Sequence, residues 1–533
     1  MAQPPMPPAH AELTGFHQQW RAFLRPAMKE GVPDYSAAAM AAKAAALPEW
    51  RARLNAIDSS GWAVVPANDK RLVEAEINGF DFFLRVLKPW ARDPSFYANV
   101  FGEQSDVPAH EGPSAEPVID LFAYKWPLSR ADDAALARQL RMVPTLLAQA
   151  KTNLANSQAH DHWAYGDSTF RTQSAVLGEL RQGKLVMRTI DGQVPATMTG
   201  ASAALLKAID EAKAATDGFA AWIRAEAPRR VGPSGVGKDN YNWWAKNVAL
   251  LPYDWDAQQV LLKRELDRSL ASLRLEEARN RALPPLTEIA DPAAYRANAE
   301  AKTRMFNDFV VKTGLVPDRP YYRAAMEAQT SSYTPPAARN FFSHGTALDP
   351  LPLLSHSTHF VELARIAHEP HPDPIRRATP VFNMYMDRSE GWATAMEELL
   401  MHLGLYDDNP RAREIVWIML ANRAARGLAS LHVQANEMDL AEAGRFHAQW
   451  TPRGWSDPAS PLVGFEQLLY LRQPGYGASY IVGKAQLDDI LGAMSHAADQ
   501  SSQPFDLGKA WQRITDAGIV PPSLIRAEVV AQP

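Results

Sequence analysis

The sequence predicts a mainly α-helical protein with minor β-hairpin elements, and three observations carry that expectation. Helical periodicity dominates: Leu262, Leu266, Leu270 and Leu273 recur at helical spacing through a charged segment, with Asp254 just before it as an N-cap. Residues 130–155 and 201–225 are rich in Ala and Leu and read the same way. Strand signals are few. The strongest is Leu185-Val186-Met187-Arg188-Thr189-Ile190 followed by Asp191-Gly192, the pattern of a small hairpin.

With 46% hydrophobic and 22% charged residues, the 533-residue chain has a globular composition and enough length to bury a large core. Its net charge of −5 is small and its basic residues form no stripe, which argues against nucleic acid as the main partner. Cysteine is absent, so thiolate catalysis and Cys-ligated metals are excluded, and His and carboxylates are left as the strong ligands. No run of about 18 apolar residues exists, so no transmembrane helix is expected. Met1-Ala2-Gln3-Pro4-Pro5 has neither a basic n-region nor an apolar h-region. It fits the start of a mature exported chain with Met1 added as well as a cytoplasmic tail, and export is the reading carried forward. We expect a flexible tail over 1–12 and one helical domain over 13–533. An N-terminal helical half (13–330) would precede a half that carries the chemistry (331–533). Pro and Gly mark loops near 101–117, 227–240, 333–354 and 370–380.

Two motifs read as accidental. Gly232-Pro233-Ser234-Gly235-Val236-Gly237-Lys238 follows the phosphate-loop pattern, but Asp239 stands where Ser or Thr would hold magnesium, and no strand precedes it. His368-Glu369 invites a zinc-peptidase reading, yet the second ligand position is Pro372 and Pro370 ends the helix. His371 is left as a loop ligand at best.

Two segments carry more. If 356–362 is one helix, His356, His359 and Glu362 share a face close enough to bind one ion; the alternative is a polar surface stripe. Glu390 and Glu397 lie two turns apart at the edge of an apolar stripe of Trp392, Met396, Leu399, Leu400 and Leu403. Acids placed there need a metal, a proton or a basic partner.

The segment Glu390-Gly391-Trp392-Ala393 with Glu397, then Gly404-Leu405-Tyr406-Asp407-Asp408, resembles the bacterial domain-of-unknown-function 885 family, itself similar to gluzincin-type metallopeptidases. The resemblance runs over nearly the whole chain. It includes Arg141-Met142-Val143-Pro144 before Asn153-Leu154, Tyr253-Asp254-Trp255 leading to Glu276-Glu277, and Arg426-Gly427-Leu428 with His432. Near the C-terminus, Pro474-Gly475-Tyr476-Gly477-Ala478-Ser479-Tyr480 before Gly483-Lys484 matches a family stretch.

The resemblance implies a large multi-helical, zincin-like body with a deep cleft and one divalent ion, zinc, held by His356, His359 and Glu390. The family carries a catalytic Glu beside the first His and a Pro-Gly pair before the second. Here Ser357 follows His356, the Pro-Gly pair is missing, and a family Arg falls at Leu469. The base is then expected from Glu362, Glu369 or Glu397, with His432 and Tyr480 donating to a developing oxyanion. The expected function is metal-dependent hydrolysis of an amide-like bond in a small or peptide-like substrate. A catalytically silent ligand-binding relative and a metal-assisted lyase stand as alternatives.

Overall fold

The computed structural model describes residues 7–530 and is built almost entirely of helices, from Pro8–Leu24 to Pro522–Val530. Asp254 caps helix Trp255–Arg279 by accepting from the Ala257 amide, and Leu262, Leu266 and Leu273 are buried on its inner face. Periodicity and cap agree there with the reading from sequence.

The segment 130–155 is two helices, Arg130–Leu140 and Val143–Asn153. Pro144 starts the second, because a residue without an amide hydrogen suits a helix's first turn and not its interior. The hairpin pairs Val186–Thr189 with Gly192–Pro195 antiparallel, and its turn closes between Thr189 and Gly192, one residue earlier than expected. The parallel strand pair Val100–Phe101 with Ile119–Asp120 had no sequence signal. It draws together the two ends of the 102–118 loop.

Of the tail expected over 1–12, residues 8–12 belong to the first helix and His10 is buried against Asp69, so that expectation is corrected. Residues 1–6 lie outside the described residues.

Four helices form the centre: Trp255–Arg279, Met386–His402, Ala412–Gln434 and Tyr476–Gln500. Ala412–Gln434 is buried on nearly every side, so each of its polar side chains must find a partner. Arg423 meets Glu397, Arg426 meets Glu466, and Asn422 meets His447 and Thr451. The Gln434 amide donates to the Tyr470 and Leu471 carbonyls.

Helices Met386–His402 and Tyr476–Gln500 touch backbone to backbone. A Cβ added at Gly391 would lie 2.3 Å from the Gly483 Cα, so only glycine fits. That contact fixes the Glu390 helix against the helix carrying Tyr476 and Tyr480.

Buried hydrophobics from the first helix to the last join one cluster, and buried ion pairs cross between residues before and after 330. Asp69 accepts from Arg376 at 2.7 Å, and Asp93 from Arg472 at 2.6 Å. Burial pushes the Asp93 carboxyl up, but Arg472 and His162 outweigh it and hold the group down to about 2. A depressed carboxyl stabilises the fold above its unfolded value and loses that contribution as pH falls through the folded one. We therefore expect about 2 kcal/mol of stability to disappear between about pH 4 and pH 2. Asp93→Asn should flatten that part of a stability-against-pH curve; an unchanged slope would contradict it.

A cavity of about 780 Å³ lies among Phe80 and Phe83, the 102–118 loop, Leu363, Ile366 and Phe382. No helix among the described residues is long and apolar enough to cross a membrane.

Candidate functional site

His356 and His359 do not share one helix. Helix Leu351–His356 ends at the first, and His359–His368 begins at the second. The Ser357 and Thr358 hydroxyls between them donate back to the Leu353 and Ser355 carbonyls, which competes with helix continuation. The break still leaves both imidazoles together, with ring centroids 4.9 Å apart and nearly perpendicular planes.

Glu390 meets them from the facing helix. Its Oε2 lies 3.1 Å from His359 Nε2 and 3.5 Å from His356 Nε2. Burial would raise the Glu390 carboxyl, but His359 and His356 outweigh it and hold the group well below its usual value. Burial alone would lower His359, and Glu390 raises it instead.

Two nitrogens and a carboxylate oxygen make a donor set suited to a divalent ion. A tetrahedral ion with ligands at about 2.0–2.1 Å spaces neighbouring donors by about 3.3 Å, and the two measured separations bracket that value. These three residues could hold a divalent ion.

Glu397 lies on the other side of His356, with Oε1 3.1 Å from Nδ1 and 2.5 Å from an Arg423 nitrogen. It is fully buried. No aligned hydrogen bond joins the two, since His356 Nδ1 is among the buried atoms without one, so Glu397 acts on the ring as a neighbouring charge that Arg423 holds in place. Glu362 does not join the cluster. Arg388 and Arg365 take its carboxylate, and although burial raises its pKa, the two guanidiniums bring it below the ordinary value.

Tyr480 is at the site through its ring, stacked 6.0 Å from His356, with the Arg426 guanidinium over it at 4.9 Å. Burial first, then the Glu390 charge, push its phenol well above the usual value, so it stays a donor. His432 is not brought in; it pairs with Glu437 at 2.6 Å and sits edge-on to Trp255. Leu469 packs in an apolar cluster with Val107, Tyr385, Tyr470, Tyr476 and Tyr480.

His368 and Glu369 are an exposed helix end, one stacked on Tyr321 and the other paired with Arg319. The 232–238 loop clasps the C-terminal end of helix Ala412–Gln434, and a Cβ at Gly235 would meet the Val433 carbonyl oxygen at 2.3 Å. Lys238 pairs with Glu437, so these residues have structural partners.

The structure adds three residues. Tyr476 stands beside Glu390, with its hydroxyl 2.6 Å from Oε1. It lies one turn before Tyr480 in the motif quoted above, so helical spacing could have placed it on the same face. Asp106 and Glu111 come from the 102–118 loop, and their carboxylates, with that of Glu390, offer oxygens within 4.8 Å of one another. Nothing in their local sequence marks them.

A family model described as bacterial protein of unknown function, DUF885, matches residues 8–308, more than half of the chain. The chain belongs to the DUF885 family. The match includes Asp106 and Glu111 of this DUF885 chain and stops short of the two His and Glu390. A solved protein from Shewanella oneidensis, described as a lipoprotein of unknown function, superposes with a TM-score of 0.63 at 14% identity, over 97% of each chain. Another from Colwellia psychrerythraea, also described as a lipoprotein, gives 0.66 at 12% identity over 98% of each chain. At these identities the likeness concerns the fold. No curated protein matches the chain.

Proposed function

We propose that this DUF885 protein is a metal-dependent hydrolase of amide or peptide-like bonds on a zincin-like helical scaffold. His356, His359 and Glu390 would hold one divalent ion, zinc by its donor set. The observation that carries the reading is the convergence of these residues from three helices on one point, with Glu397 behind His356. When bound, the ion would supply a Lewis acid that polarises a carbonyl and lowers the pKa of water. Tyr480, a buried phenol kept protonated beside His356, would be the donor to an oxygen on which negative charge grows. The cavity of about 780 Å³ has the volume for a small-molecule or short peptide-like substrate; Val107 and Tyr385 line it, while His356, His359 and Glu390 do not. The description of both structural neighbours as lipoproteins supports an exported setting.

Ser357, where a catalytic carboxylate would be expected, favours the second reading of a silent ligand-binding relative. Metal analysis is the first test. The purified protein should take up one equivalent of zinc, and Glu390→Gln or His359→Ala should weaken uptake by about 100-fold or more. Zinc uptake unchanged in either variant would refute the ligand set. Stoichiometric zinc without cleavage of any amide in a broad panel would favour the silent relative.

A further inference from the structure

The cavity of about 780 Å³ is walled by rings. Phe80, Phe83 and Phe382 line it as a triangle, with centroids 5.9, 6.0 and 6.4 Å apart. Phe382 reaches that place through an uncommon backbone. It and Asn383 are successive non-glycine residues in the left-handed region, at φ 58° and 61°. Gly79 makes room for the ring, since a Cβ there would lie 2.6 Å from Phe382 Cβ.

The charges in the wall are already matched. Arg21 pairs with Glu76, Arg472 with Asp93 and His110 with Asp120. Lys43 donates to the Phe23, Leu24 and Arg25 carbonyls, and Arg25 and Glu116 attract each other. A charged group entering the cavity loses its water and finds no unmatched partner. An uncharged ring sheds water favourably and gains offset or edge contacts with the three Phe rings. One polar side chain is left over. The Asn383 amide lines the cavity and makes no hydrogen bond with any described residue. It offers two N–H groups and a carbonyl, the complement of another amide.

The far side of this wall is the His356, His359 and Glu390 cluster. Ser105 and Val107 line the cavity, while Asp106 between them addresses Glu390. Val107 and Tyr385 line the cavity and also pack in one apolar cluster with Tyr476 and Tyr480. The Tyr385 side chain spans the gap, since it borders the cavity and feels the Glu390 charge. Asn383 stands two residues before it.

Resting on the hydrolase reading for the fate of the bound amide, we propose that this cavity is the specificity pocket. It takes an uncharged aromatic side chain of an amide substrate, and Asn383 hydrogen-bonds the substrate's own amide. The ring displaces water from the Phe wall, and Asn383 sets the amide toward Val107 and Tyr385, on the side of Glu390.

The test uses the full chain, first without metal, with N-acetyl-phenylalaninamide as the probe and calorimetry as the readout. The probe should bind about 10-fold or more tightly than N-acetyl-alaninamide and than the glutamate and lysine analogues. Ile366→Trp, which fills the cavity, should weaken the probe by about 10-fold or more. Ile366→Phe is the milder filling should the larger one not reach the parent's unfolding midpoint. Asn383→Gly keeps the left-handed backbone and removes the side-chain amide. It should weaken the probe by about 5-fold and leave toluene binding unchanged. Equal binding of the phenylalanine and alanine amides overturns the inference, as does parent-like binding in a folded Ile366 variant. Unchanged probe affinity in Asn383→Gly overturns the amide contact. With zinc added, phenylalanine p-nitroanilide should show a kcat/KM about 10-fold or more above that of the alanine anilide. Zinc uptake without any ring preference overturns the pocket and leaves the metal reading standing. Ring-selective binding without zinc uptake supports the pocket and overturns the metal reading.

Discussion

Gly391→Ala is expected to destabilise the fold by about 3 kcal/mol or more, an unusually large effect for one added methyl group. The new Cβ would lie 2.3 Å from Gly483 Cα and 2.7 Å from the Lys484 nitrogen, so it meets backbone and not a side chain that can turn away. Two long helices would have to separate, and dense interiors resist that. The shift would also carry neighbouring Glu390 away from Tyr476, so zinc affinity should fall together with stability. Gly492→Ala is the control. It lies on the same partner helix with nothing within 4 Å of the added carbon, and it should be neutral or stabilising by up to about 1 kcal/mol. Denaturant unfolding of both variants beside the parent reads the difference. Equal midpoints for Gly391→Ala and the parent would show that the helix contact is looser than described.

Arg423→Met should cost about 3–5 kcal/mol, because it strands the Glu397 carboxylate without a counter-charge in a site that water does not reach. Adding Glu397→Gln to that variant should restore much of the loss, since the penalty comes from one unpaired charge more than from a missing attraction. The double-mutant cycle separates the two. Glu397→Gln alone should weaken zinc binding by about 10-fold, because it removes the negative charge beside His356 Nδ1. If the double variant is no more stable than Arg423→Met, the pairing does not account for the arginine.

The sequence made the helical body legible wherever a helix has one wet face. The 262–273 stripe and the Asp254 cap are of this kind, since solvent on one side imposes the period that can be read. Ala412–Gln434 is buried on nearly all sides and shows no such contrast. At the site, the two His and Glu390 could be named because their spacing is local or follows a motif. The break between His356 and His359 could not, because it depends on two hydroxyls choosing the Leu353 and Ser355 carbonyls. Glu362 looked free for chemistry because its partner Arg388 lies on another helix. His432 was drawn in by its place in a motif, and the fold turns it toward Glu437. Glu111 lies far along the chain from Glu390, and only the closed fold brings the two together.

The 102–118 loop has a different surface on each side. Ser105, Val107, Pro108 and His110 line the large cavity, while Asp106 and Glu111 address Glu390. Substitutions at the first set change the shape of the cavity, and those at the second change the charge beside the Glu390 cluster. Since the two sets interleave on a frame pinned at both ends, each can vary without rebuilding the other. If the cavity takes the substrate proposed above, point substitutions in one short stretch would shift the preferred molecule and leave the helices behind it untouched.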